Sequence, residues 1–195
     1  MRFPLLVLLT FLVLTFFVTS SVAQEANAQP QAFVKVERVG DPNRQSFFLF
    51  STSIRNYTIR NDGFTESFSN TVQRRFFNLR MGQNSTVERV YFMEYEGDLV
   101  LLYEVGDKKY GWGYLARLDQ PERKFRWVTP INGFNVGPAI VEAGSVYFSS
   151  ANVIGKVDLR SGEYVWKQTE FEKKYQPEFF EFRLPFLAAD RVMFE

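Results

Sequence analysis

The sequence predicts an all-β protein of many short antiparallel strands built as a repeat. Three observations predict it. Short apolar and aromatic runs recur along the chain, separated by Gly, Asp, Asn and Pro. No segment carries the 3.6-residue apolar period of an amphipathic helix. One pattern also returns at a fixed spacing. Residues 116–127, ARLDQPERKFRW, align without a gap on residues 155–166, GKVDLRSGEYVW, so that Asp119 precedes Asp158, and Trp127 precedes Trp166, by 39 residues each. The 22 phenylalanines fit this class, because aromatic side chains favour pleated, half-buried strands.

The N-terminus has the order of an export signal. Arg2 is followed by an apolar run, Phe3 to Val18, too short for the roughly 20 residues that span a bilayer. Ser21-Val22-Ala23 before Gln24, and Ala26-Asn27-Ala28 before Gln29, have the small-x-small form of a cleavage site. Residues 1–28 are therefore expected to be a signal peptide cleaved after Ala23 or Ala28. A secreted or periplasmic chain with no stable membrane span would follow. Small polar residues from Gln24 to Gln31 form a linker into a single domain, 29–195.

Within that domain the strand candidates are Phe47–Phe50, Tyr57–Ile59, Val90–Tyr95, Leu99–Val105, Tyr114–Leu118, Phe125–Val128, Ala139–Val141, Val146–Ser149, Ile154–Leu159 and Tyr164–Trp166. Between them stand turn sequences such as Glu96-Gly97-Asp98, Glu142-Ala143-Gly144 and Arg160-Ser161-Gly162. A second correspondence supports the repeat. Pro138 to Val141 followed by Val146 to Phe148 is echoed, with one gap, by Pro185 to Ala188 followed by Val192 to Phe194. The clearest repeats are 98–128 and 137–167, with a shortened one at 182–195. Residues 33–86 share the strand pattern but not the landmarks. A spacing of 39 is close to the roughly 40 residues of a four-stranded propeller blade. Such a sheet cannot bury both faces alone, so stacking on a neighbour explains why repeats exist.

The segment 137–167, GPAIVEAGSVYFSSANVIGKVDLRSGEYVWK, resembles the repeat of pyrroloquinoline-quinone-type β-propellers. It has a Gly-Pro strand opening, a turn before Val-Tyr-Phe, and a Val-Asp-x-x-x-Gly-x-x-x-Trp ending. The unit ending at Trp127 matches in part, because Gln120-Pro121-Glu122-Arg123 replaces the glycine turn. The resemblance implies four-stranded blades in a partial arc or a small ring of about three to four blades. Asp119, Trp127, Asp158, Gly162 and Trp166 are then structural repeat positions. Both Trp127 and Trp166 are expected to anchor neighbouring blades.

Composition narrows the chemistry. Without Cys or His there is no thiolate nucleophile, no serine–histidine triad and no zinc site built on those ligands. The net charge of +1 gives no reason to expect nucleic acid. Family enzymes of the quinoprotein kind use a complete ring, Ca²⁺ and often adjacent cysteines. This chain has no Cys. No catalytic, cofactor-binding or metal-ligating residue is assigned. Asp98, Asp119 and Asp158 fall at turns or strand ends, where solvated acids are ordinary. Residues 106–114, with Gly111 and Gly113 flanking Trp112, lengthen one repeat by about eight residues relative to the next. Tyr110, Trp112 and Tyr114 are the candidate partner-binding aromatics on that insertion, read as a hairpin tip. The aromatic stretch Phe179 to Phe186 is read as core packing.

The expected function is a non-catalytic exported binding or scaffolding module with a protein or carbohydrate partner. The resemblance extends to envelope assembly factors that hold partner proteins. A carboxylate-based hydrolase or a degenerate quinoprotein oxidoreductase is the alternative class. A propeller fragment without independent function is the third reading. An open sheet edge would allow self-association.

Overall fold

A computed structural model of the chain describes residues 30–40, 47–60, 63–67, 74–77, 86–106, 111–131, 133–151, 153–169, 184–188 and 191–194. The signal segment, Tyr110 and the stretch Phe179–Phe182 lie outside the described residues. Every regular element among the described residues is a β-strand, and all strand pairs are antiparallel.

Three very short strands come first: β1 (Gln31–Ala32), β2 (Val34–Lys35) and β3 (Arg38–Val39). Three four-stranded meanders follow. The first is β4 (Phe47–Ser51), β5 (Asn56–Arg60), β6 (Gly63–Ser67) and β7 (Arg74–Phe77). The second is β8 (Thr86–Tyr95), β9 (Asp98–Gly106), β10 (Gly111–Asp119) and β11 (Lys124–Ile131). The third is β12 (Ile140–Glu142), β13 (Ser145–Ser149), β14 (Ile154–Asp158) and β15 (Tyr164–Gln168). A hairpin, β16 (Phe186–Ala188) with β17 (Arg191–Met193), ends the described chain.

The N-terminal segment is a strap. β1 pairs with β12 of the third sheet, β2 with β8 of the second and β3 with β4 of the first. Each meander thus gains a fifth strand on the edge of its first strand. Between the pairings the strap turns a side chain into each core. Phe33 joins the core between the second and third sheets, and Val36 the core between the first and second. Their amides donate to the carbonyls of Ala139 and Val90, each at 2.9 Å.

The second sheet is the middle layer. All nine residues of β9 are buried. Leu99, Leu101, Tyr103 and Val105 pack toward the first sheet, while Val100 and Leu102 pack toward the third. A strand covered on both faces reads as a continuous apolar run, which is how Asp98-Leu-Val-Leu-Leu-Tyr appears in the sequence. Burial, and then the stacked Tyr114 phenol at 5.3 Å, push the Tyr103 hydroxyl well above its usual range.

The eight extra residues of the second repeat do not form a tip. β9 and β10 have nine residues each where β13 and β14 have five. The insertion lengthens two strands, and the residues between them, 107–110 and 150–153, match in number. Gly111 and Gly113 are needed on the longer strand because the segment Gly133–Val136 lies against it. A Cβ at Gly113 would stand 2.6 Å from the Val136 side chain, and one at Gly111 2.8 Å from Phe134. The Gly113 amide donates to the Gly133 carbonyl at 2.9 Å.

A bulge shapes the last strand of each meander; in the first, Phe64 pairs with Phe77 and Thr65 with Arg75, which leaves residue 76 extra. In the second, Leu118 pairs with Phe125 and Arg117 with Trp127, which leaves Arg126 extra. In the third, Val157 pairs with Tyr164 and Lys156 with Trp166, which leaves Val165 extra. Residues two apart on a regular strand share a face. The bulge breaks that rule. Phe125 packs into the core facing the first sheet, and Trp127 into the core facing the third.

Glycine conformation yields one expected outcome. Gly97 and Gly162 both have positive φ, +80° and +75°. A Cβ at Gly97 meets nothing within 4 Å, whereas one at Gly162 would stand 2.5 Å from the Trp127 indole. Gly97→Ala should cost about 1 kcal/mol, from backbone strain alone. Gly162→Ala should cost about 3 kcal/mol, because strain and overpacking add. Urea unfolding of the two variants measures the difference.

Tyr103 yields a second. Its native hydroxyl keeps its proton while the unfolded chain ionises above about pH 10. The stabilising contribution is therefore present below about pH 10 and is lost as pH rises beyond it. Tyr103→Phe should flatten the alkaline limb of a stability–pH curve and leave its shape below about pH 9 unchanged.

Candidate functional site

The seam between the second and third sheets holds the densest polar chemistry of the described chain. It starts from two hairpin turns. Glu96-Gly97 and Ala143-Gly144 both have positive φ at two successive residues, the pairing of a type I′ turn. These turns put Asp98 and Ser145 at the start of the second strand of their sheets. Asp98 is buried. Its carboxylate accepts from the Arg117 Nε and from the Arg126 Nε at 2.6 Å. Arg126, which the bulge turns outward, also reaches Asp119 at 2.7 Å.

Arg117 crosses to the third sheet. Its Nη1 donates to the Leu159 carbonyl at 3.0 Å, and its guanidinium lies 5.3 Å from the Tyr95 ring centroid. The Leu159 carbonyl also takes the Trp127 indole N–H at 3.0 Å. The Trp127 ring rests on Gly162, where the missing side chain makes room. Thr129 donates to the Gly162 carbonyl, and the Tyr164 hydroxyl to the Pro130 carbonyl at 3.0 Å. Asp158 holds the turn that presents Gly162. It accepts from the amides of Ser161 at 2.7 Å and Arg160 at 3.0 Å. The Ser161 N–H above all holds the Asp158 carboxyl below the usual carboxylate range. Above this seam opens a cleft of about 630 Å³, lined by Tyr95, Glu96, Arg117, Arg126, Asp158 and Arg160 among others.

The seam between the first and second sheets uses other residues in a parallel way. Gln120, which follows Asp119 as Leu159 follows Asp158, is fully buried. Its Oε1 accepts from Thr52 at 2.7 Å and from the Tyr57 hydroxyl at 3.0 Å, while its Nε2 donates to the Gly97 carbonyl at 3.0 Å. Buried Glu66 accepts from Arg55 and from Arg123.

A scan against protein-family models finds no match for this chain. A search of curated proteins finds none either.

The structure places the sequence-selected residues as follows. Asp119, Trp127, Asp158 and Gly162 converge at the seam of the second and third sheets. Trp166 stands elsewhere, on the far face of the third sheet. It is 39% exposed, with one edge contact to the Phe194 ring at 6.5 Å. The equivalence expected of Trp127 and Trp166 therefore does not extend to their surroundings. Trp112 lies on β10, not on a loop, and is 44% exposed. Tyr114 is half-buried in the core against Tyr103, and Tyr110 lies outside the described residues. Asp98 is not the solvated turn acid its sequence position suggests. It is a buried partner of two arginines. The signal that could have identified it is the Asp98–Arg117 juxtaposition, which appears only once β9 and β10 are paired in register.

The carboxylates of Asp98 and Asp119 at the seam of the second and third sheets, and of Glu66 at the other, are each paired with guanidinium groups. Among the described residues no cluster of three or more metal-type ligands occurs.

Removing one partner of a buried ion pair leaves the other charge desolvated. Asp98→Ala should therefore cost about 3 to 5 kcal/mol. Trp127→Ala should cost about 3 kcal/mol, but Trp166→Ala only about 1 kcal/mol, since much of that ring is in water. Thermal unfolding of the three variants provides the comparison.

Proposed function

We propose that the three sheets are propeller-type blades of the quinoprotein-like kind, set in a partial arc. On this reading the chain is an exported, non-catalytic module that binds or scaffolds a protein or carbohydrate partner. The observation that carries it is the docking of Trp127 on Gly162, from one sheet to the next, with Trp166 repeating the motif 39 residues on and still presenting its ring to solvent. A repeat that covers one anchor internally and leaves the next open suits a surface used in association. The state of the charged groups supports binding over catalysis, because the seam carboxylates are held by arginines in structural pairs. Export is supported by the apolar run after Arg2 and the small-x-small sites at Ala23 and Ala28.

The test uses mature protein recovered from the exporting cell. Mass spectrometry should give a new N-terminus at Gln24 or Gln29. The immobilised protein should retain a partner from envelope extract or a glycan in stoichiometric amount, and its absorbance should be that of its aromatic residues. A cofactor chromophore with substrate turnover would replace this reading with the quinoprotein alternative. Full-length protein held in the membrane would remove the export part.

A further inference from the structure

The cleft above the seam of the second and third sheets is more than a gap between layers. Every residue that lines it belongs to those two sheets and their turns, and its volume of about 630 Å³ lies within the range of small-molecule sites. Its floor is fixed before anything enters. The Arg117 guanidinium is held by Asp98, Glu96 and the Leu159 carbonyl, and that of Arg126 by Asp98 and Asp119. Neither side chain must be ordered on binding, which removes an entropy cost. Its rim is set by two residues in strained backbone. Glu96 and Ala143 are the first central residues of the two type I′ turns, with φ of +52° and +45°, where asparagine, aspartate or glycine is the easier choice. The cleft thereby gains a carboxylate on one side and open space on the other. Ala143-Gly144 carries almost no side chain, and a Cβ at Gly144 would meet only the Tyr95 hydroxyl, at 3.9 Å.

Charge decides the class of ligand. The guanidinium groups of Arg117, Arg126 and Arg160 stand at the cleft with the carboxylates of Glu96 and Asp158, and those of Asp98 and Asp119 lie beside them. A bare anion gains little from a set in which acids match or outnumber bases. Among the described residues no three metal-type ligands converge for a cation. Donors and acceptors are nevertheless both left over. The Nη1 of Arg126 and the Arg160 side chain have no hydrogen bond or ion pair to a described residue. The Glu96 side chain is 67% exposed and places only Oε2 on Arg117. A hydroxyl donates once and accepts twice, so a ligand made of hydroxyls satisfies both kinds of group without net charge.

We propose that this cleft binds a neutral oligosaccharide, held between Glu96 of the second sheet and Arg160 of the third. A guanidinium fork donates to two neighbouring hydroxyl oxygens, and a carboxylate accepts from two hydroxyl groups. The inference rests on the binding reading above and narrows it, to carbohydrate and to this seam.

The probes are maltotriose, mannotriose and chitotriose, each labelled with a fluorophore at its reducing end, with trigalacturonate as the acidic comparison, titrated with the full mature protein. Saturable anisotropy is expected with at least one neutral trisaccharide, and its Kd should hardly change from low to high salt. Arg160→Ala and, separately, Glu96→Ala should each weaken binding about tenfold or more. Both variants should keep the parent melting temperature within a few degrees, and either one suffices if the other fails to fold. Absence of saturable binding to all three neutral sugars, or binding that both substitutions leave within about twofold, overturns the proposal. So does tighter binding of trigalacturonate, because the cleft is then an anion site. A protein partner retained from envelope extract by a chain that binds none of these sugars sinks this inference and leaves the scaffolding reading standing. A trisaccharide bound and cleaved would remove the non-catalytic reading and leave the cleft as a sugar site.

Discussion

The fold depends on one sheet being covered on both sides. β9 has no solvent face, so its alternate side chains supply two cores at once. A single four-stranded sheet leaves one apolar face in water. The second sheet avoids this by lending Leu99 and Leu101 to the first sheet and Val100 and Leu102 to the third. Each Å² of apolar surface that the outer sheets bury against this shared layer stabilises them by roughly 25 cal/mol. The bulge at Arg126 extends the same economy to the outer strand, because it lets Phe125 and Trp127, two residues apart, serve opposite cores.

Stacked sheets slide unless polar contacts fix their register. Here both seams place a residue directly after a strand-ending Asp at the centre of the polar contacts. At one seam the Gln120 side chain joins Tyr57 and Thr52 of the first sheet to the Gly97 turn of the second. At the other the Leu159 backbone joins Arg117 and Trp127. The apolar cores tolerate small displacements, since dispersion and burial are not directional. Hydrogen bonds near 3 Å are not so tolerant. The buried Asp98–Arg117 pair is aligned by the same contacts. Its desolvation is offset by further bonds from Arg126, Glu96 and the Leu159 carbonyl.

The strand pattern was legible in the sequence wherever apolar runs alternate with turn residues. All-β class and antiparallel pairing follow from that, and so do the 39-residue spacing and the turns at Gly97, Gly144 and Gly162. The rest needed pairing in three dimensions. Asp98 reads as a surface turn acid until β9 and β10 are set in register and Arg117 is found beside it. Trp127 and Trp166 are indistinguishable in sequence, yet one meets a glycine and the other meets water, because covering depends on the next layer and not on the residue. The insertion around Trp112 looks like a loop because glycines flank it. Those glycines instead admit the close passage of Gly133–Val136. The strap was invisible, since two-residue pairings leave no period to detect. The first sheet escaped the repeat because its meander lacks the Asp and Trp landmarks.

The strap crosses the three sheets in the order third, second, first, which is the reverse of their order along the chain. Gln31 finds its partner Val141 about 110 residues later. Closing so long a loop is entropically slow, and contacts of this range govern folding rates. During synthesis the strap is made before the meanders. Its β3 can pair with β4 as soon as that strand follows, whereas β2 waits for β8 and β1 for β12. The newborn chain therefore passes through a stage in which Phe33 and Val36 are unsheltered and the first strands of the second and third meanders present bare edges, a window in which a holdase would protect it most.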